Sequence, residues 1–194
     1  MPISTLPAGK SLPIVRHELI EIVPYDPNWP GAFAVERDRI AEALGVLALR
    51  IDHNGSTSVP SLAAKPIIDI QISVRELRPI ETYRTPLARL GYVHVTHPDD
   101  SFCPFFHQPA MWPHTHHVHV VESGGAEERR TLAFRDYLRQ HPETAREYEE
   151  LKRRLASQHA ASDFPSREAY AKAKTEFITS ITDRALSKGY PHEF

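Results

Sequence analysis

Short runs of alternating apolar and polar residues occupy the first part of the chain, and helical periodicity takes over afterwards. Leu19-Ile20-Glu21-Ile22-Val23 reads as a strand stopped by Pro24. The proline-rich stretch 24–30 that follows cannot be helix interior, because proline removes a donor and restricts its predecessor. Phe33, Ile40, Leu44 and Leu47 share one helical face and predict a helix over roughly 30–45, closed by Gly45. A strand at 48–53, a small-residue loop at 55–60 and a β-branched strand at 67–74 come next. Residues 76–90 read as a helix closing at Gly91, and strands are expected at 92–95 and 116–121, separated by a long hairpin excursion.

From about residue 126 onward helices are expected over 127–140, 142–159 and 166–186. Tyr148, Leu151 and Leu155 share a face there, as do Phe177, Ile178 and Ile181. The predicted fold class is therefore α/β (α+β): a mixed β-sheet flanked by helices, with a helical C-terminal third. A tail at 1–17, one domain over 18–186 and a short tail at 187–194 complete the layout.

Composition narrows the function classes. With 194 residues and 41% apolar content, the chain is long enough to bury a core. Its 23 basic and 25 acidic residues give no basic face for general nucleic-acid binding. No run approaches the ~18 apolar residues of a membrane span, and the single Cys103 fits a reducing, cytoplasmic setting. Composition leaves the oligomeric state open. Twelve histidines are many for this length, and seven of them crowd between His94 and His119.

Chemistry concentrates at Gly55-Ser56 and, 13 residues on, Asp69 in an apolar strand. A turn of small residues (Gly55, Ser56, Thr57) offers N–H groups and hydroxyls to phosphate oxygens at close range. A carboxylate on the next strand can hold Mg²⁺ or Mn²⁺ beside those phosphates. The competing reading is a loop with one buried, hydrogen-bonded aspartate.

The wider context sharpens this. Val23-Pro24-Tyr25-Asp26-Pro27-Asn28-Trp29-Pro30, the stretch from Ile51 to Ile70, His117-Val118-His119-Val120-Val121-Glu122, Leu132 to Leu138 and Tyr170 to Ile178 together resemble the GrpB family, over about residues 18–183. That family resembles a branch of the polymerase β-like nucleotidyltransferases. A GrpB-like domain also occurs fused to dephospho-coenzyme A kinase. The resemblance implies a nucleotidyltransferase-like fold and transfer of a nucleoside monophosphate from a metal-bound triphosphate to a small-molecule acceptor. Gly55 and Ser56 match the phosphate-holding turn, and Asp69 matches the first metal carboxylate. Where the second carboxylate should stand, this chain has Gln71, whose amide brings no charge. The alternative function is therefore a catalytically silent nucleotide- or metal-binding module of the same fold.

His117 and His119 alternate on a strand and so face the same way. With Asp69 they form a candidate set for a softer ion such as Zn²⁺ or Ni²⁺. His53, just before the turn, is expected either in the same cleft or as a buried turn anchor. Lys65, Arg135 and Lys174 are the candidate phosphate-binding cations. Trp29 reads as a packing anchor, Glu150 to Arg154 as a solvated helix face, and Cys103 as having no catalytic role.

Overall fold

The computed structural model describes residues 19–159 and 164–192; the expected tail at 1–17 lies outside them. Five strands form one mixed sheet: β1 (Arg50–Asn54), β2 (Ile68–Val74), β3 (Val93–Val95), β4 (Phe105–Gln108) and β5 (His116–Glu122). Their spatial order is β1-β2-β5-β4-β3, with β2 and β5 parallel and every other pair antiparallel. Helices α1 (Trp29–Leu44) and α2 (Glu81–Arg89) interleave with the strands. The remaining helices, α3 (Ala126–Gln140), α4 (Pro142–Ala156), α5 (Phe164–Lys172) and α6 (Thr175–Ser187), follow them. The mixed sheet with a helical C-terminal part is thus the architecture the periodicity predicts.

Strand register gives the sheet two unlike faces, because paired residues project to the same side. On one face Ile70, Ile72, Phe106, Val118 and Val120 are wholly buried and pack with Ile40, Leu44, Tyr83 and Leu87 of α1 and α2. Each such side chain contributes about 1.5–3 kcal/mol through burial. Trp29 belongs to this core, edge-on to Tyr25. The opposite face carries Asp52 and Asn54 of β1, Asp69, Gln71 and Ser73 of β2, His117 and His119 of β5, and Phe105 and His107 of β4. Helix α3 crosses this polar face, where Ser73 Oγ donates to buried Glu128 and Thr131 Oγ1 donates to Gln71 Oε1 at 2.5 Å.

Several elements depart from the periodicity. Leu19 to Val23 adds no strand to the sheet; Val23 makes only an isolated antiparallel bridge to Ala64. Helix α2 starts at Glu81 instead of 76, past Pro79, which disfavours helix in the residue before it. The excursion between β3 and β5 contains β4, a four-residue strand bounded by Pro104 and Pro109. The helix expected over 166–186 is two, α5 and α6, broken at Ala173-Lys174. Residues expected as a C-terminal tail pack back: Tyr190 is buried against Tyr137, and its hydroxyl donates to Gln140 Oε1 at 2.6 Å.

Candidate functional site

Strand β1 runs into Gly55, whose φ of 62° and ψ of −170° suit glycine almost alone. A Cβ at Gly55 would stand 2.7 Å from Cγ and 2.8 Å from Cβ of Asp69, and closer still to Oδ2. The turn and the strand carboxylate are therefore in direct contact. A single 3-10 turn, Ser56–Ser58, follows, closed by Ser58 Oγ donating to Gly55 O at 2.6 Å. The segment after it is fastened to the C-terminal helices by Val59 and Leu62, which pack with Tyr137, Tyr148 and Ile181. Helix α4 clasps the same segment: Glu149 accepts from Ala63 N–H at 3.1 Å, and Lys152 Nζ donates to Ala63 O.

Around Asp69 gather three amines. Lys65 leaves the loop, Lys152 comes from α4 and Lys174 caps α6; all three interact electrostatically with the Asp69 carboxylate. Lys174 Nζ lies 4.3 Å and Lys65 Nζ 5.4 Å from the ring centre of Tyr170, and Lys152 Nζ lies 4.9 Å from that of Tyr148. Tyr148 also comes close to the Ser56 side chain, bringing α4 against the turn. Burial, with repulsion from Lys65, pushes Lys174 down to about 7, against the attraction of Asp69. Burial and the Lys174 charge bring Lys152 to about 7 as well, and Lys65 is lowered chiefly by burial. Burial pushes the Asp69 carboxyl up, but His117, His119 and Lys65 outweigh it and hold it below the usual carboxylate range. Asp69 and, beside Lys152, Glu149 are the carboxylates these amines feel.

Parallel pairing of β2 with β5 sets Asp69 beside His117, with Oδ1 and Nδ1 3.4 Å apart. The other nitrogen of His117 faces His114 Nδ1 at 3.1 Å, and His114 stacks on His107 with centroids 3.9 Å apart. Burial first, then the neighbouring imidazoles, take His114 down to about 3, so it stays neutral. His119 shares the face but turns its Nδ1 to Cys103 Sγ at 3.7 Å. Burial pushes that thiol up to about 12, which leaves it unreactive.

The donor set does not fit a divalent metal. Gln71 Oε1 is taken by Thr131 at 2.5 Å and by Asn54 Nδ2 at 3.2 Å. His119 points to Cys103, both nitrogens of His117 face other side chains, and the one carboxylate is set among ammonium groups. Among the described residues no group of three His, Cys, Asp or Glu side chains is arranged to hold a metal ion.

Other expected site residues stand elsewhere. Thr57 is buried, its hydroxyl donating to Ile67 O at 3.3 Å and lying 3.0 Å from His53 Nε2. His53 projects to the apolar face, stacked on Phe33; burial lowers it to about 4, so it anchors the turn as a neutral imidazole. Arg135 is buried between Asp52 at 3.1 Å and Asp136 at 2.7 Å and donates to His53 O. Lys152, expected on a solvated face, is 2% exposed. The signal for it was present: it follows Tyr148 by four positions, on the inward stripe of α4. Tyr148 and Tyr170 were likewise missed as site residues, since aromatics at helical spacing usually mark core.

The GrpB protein family profile matches residues 19–184. The chain belongs to the GrpB family. The UPF0157 protein PA4798 of Pseudomonas aeruginosa is 41% identical over 171 residues, covering 87% of this chain and 68% of that protein. A crystal structure of the conserved protein GrpB from Enterococcus faecalis superposes with a TM-score of 0.76 at 35% identity, covering 87% of this chain and 98% of that one. A dephospho-CoA kinase of Mycolicibacterium paratuberculosis is 32% identical over 190 residues; the match takes in 86% of this chain but only 46% of the kinase. This GrpB chain therefore resembles about half of that longer protein. No helix among its described residues is long and apolar enough to cross a membrane.

Proposed function

We propose that this GrpB protein binds a nucleotide through its phosphates in the cleft between the Gly55–Ser58 turn and helices α4 to α6. The observation that carries the reading is the gathering of Lys65 and Lys174 at the Tyr170 ring and of Lys152 at the Tyr148 ring, within the field of the Asp69 carboxylate and beside a turn without side-chain bulk. Ammonium groups that repel one another stay partly deprotonated until an anion arrives, and a polyphosphate is such an anion. Lysine donors act there as point charges. The relatives named dephospho-CoA kinase, of which the match takes in 46%, join such a domain to nucleotide chemistry in one protein, and this association supports a nucleotide as ligand.

A second reading, nucleotidyl transfer to a small-molecule acceptor, is favoured by the Asp69–His117 pair. Asp69 orients the imidazole through Nδ1; the acceptor displaces His114 from the other nitrogen of His117, which takes the acceptor's proton as the acceptor oxygen or nitrogen attacks the α-phosphorus and pyrophosphate leaves.

Isothermal titration with ATP, GTP, CTP and UTP, each with and without Mg²⁺, tests binding. Saturable binding of at least one, weakened at least about tenfold in Lys174→Met, is expected from the loss of one charged contact. No heat from any of the four with folded protein overturns the proposal. Pyrophosphate release that is absent from His117→Gln, with nucleotide affinity retained, separates transfer from binding alone.

A further inference from the structure

Of the three cleft amines, Lys174 is the one with an unclaimed nitrogen. Lys152 is buried and its Nζ is engaged by Ala63 O. Among the described residues, the side chains of Lys65 and Lys174 make neither an ion pair nor a hydrogen bond; each rests instead on Tyr170, with Nζ 5.4 and 4.3 Å from the ring centre. The Tyr170 hydroxyl, at the rim of that ring, is itself buried and without a hydrogen-bond partner. A donor left unpaired in the interior is costly until an acceptor reaches it. Burial and the Lys65 charge leave a large share of Lys174 unprotonated near neutral pH, whereas Lys174 exerts no matching push on Lys65. An unprotonated amine with no hydrogen-bond partner keeps its lone pair for an electrophile.

We propose that Lys174 is a carbon dioxide site, at which the amine adds CO2 and becomes an N-carboxylated lysine. The nitrogen lone pair attacks the CO2 carbon, a C–N bond forms as one C=O bond opens, and a proton leaves the nitrogen for solvent. One amine and one CO2 thus yield one carbamate anion and one proton. Charge selects this electrophile. A carbonyl compound would leave an iminium cation beside Lys65, and an acyl donor a neutral amide. Addition of CO2 makes the charge negative, so that the Lys65 ammonium attracts it and the Tyr170 hydroxyl gains an acceptor. Removing the Lys174 charge also favours the proton on Lys152, which that charge depresses, so two ammonium groups stand against the opposing Asp69 carboxylate. CO2 is small and uncharged, and it enters a half-buried site without the desolvation cost of a charged reagent. The inference shares its lysines with the nucleotide reading and does not rest on it.

The test equilibrates the full chain with ¹³C-labelled bicarbonate and CO2 at about pH 7.5, where Lys174 is largely unprotonated and exposed lysines are not. The readouts are the ¹³C spectrum and, after trapping with triethyloxonium ion, peptide masses. A saturable carbamate signal trapped on Lys174 is expected in the wild type. It should vanish in Lys174→Arg and weaken at least about tenfold in Lys65→Met and in Tyr170→Phe. Tyr170→Phe removes only an unpaired hydroxyl, so it should unfold no sooner than the wild type, and it keeps the test available if Lys174→Arg folds poorly. No carbamate on Lys174 in the folded wild type overturns the proposal. So does a signal unchanged in Lys65→Met or Tyr170→Phe, or trapping spread evenly over exposed lysines such as Lys172 and Lys188. Nucleotide binding without the adduct refutes this inference and leaves the nucleotide reading standing; the adduct without nucleotide binding does the reverse.

Discussion

Replacing Gly55 with alanine tests the contact on which the candidate cleft is built. Two independent terms oppose the substitution. A non-glycine residue at φ 62° and ψ −170° costs about 1–3 kcal/mol in backbone strain. The new methyl would also stand 2.8 Å from Asp69 Cβ, where carbon atoms prefer about 3.5–4.0 Å, and such overpacking costs about 1–3 kcal/mol. Gly55→Ala should therefore lower stability by about 2–6 kcal/mol, read as a fall in the urea midpoint with an unchanged slope. The two terms separate in a double-mutant cycle with Asp69→Gly, which removes the crowded side chain but not the strain. The cycle should return a favourable coupling of about 1–3 kcal/mol, and the residual loss belongs to the backbone. If Gly55→Ala unfolds within about 0.5 kcal/mol of the wild type, or the cycle shows no coupling, Asp69 does not press on the turn, and the site as described is wrong.

Other outcomes follow from the amines. In the unfolded chain Lys152 and Lys174 keep protons up to about pH 10.4, whereas in the folded chain both titrate at about 7. The unfolded state then binds more protons between those values, so the ligand-free protein should gain stability as pH rises from 7 to 9, and lose it on return to neutrality. Urea midpoints at several pH values check this, and a midpoint that falls with rising pH contradicts it. Lys174→Met should stabilise the ligand-free protein at pH 7 by about 0.5–2 kcal/mol and flatten that pH slope, while weakening nucleotide binding; a destabilised variant that still binds would refute the electrostatic account. At pH 8, nucleotide binding should take up protons, seen as a dependence of titration heat on the buffer's ionisation enthalpy, because a bound anion raises the lysine pKa values.

What was legible in the sequence was local. The Gly55-Ser56 turn and Asp69 stand out because small residues before a β-branched strand have few other uses, and the polar positions 69, 71 and 73 mark one face of β2. The pairing of Asp69 with His117 was not legible, because it depends on β5 returning parallel to β2 across a long excursion. Strand β4 is short and enclosed by prolines, so alternation gave it no signal. Arg135 and Thr57 illustrate the opposite limit. Their chemistry suits phosphate, but the neighbouring Asp136 and tertiary contacts with Asp52, His53 and Ile67 claim it first. Lys152 escaped attention because a charged run on a helix is usually solvated, and only the packing of α4 turns it inward.

The unlike faces of the sheet give the molecule two different weak points. Oil-like packing under α1 and α2 is indifferent to acid and salt, whereas the seam beneath α3 is stitched by Ser73–Glu128, Gln71–Thr131 and Asp52–Arg135. Local opening should begin at that seam, with amide protons of α3 exchanging before those of β2 and β5. The molecule can thus part along a water-like joint, and the greasy half of the fold stays shut.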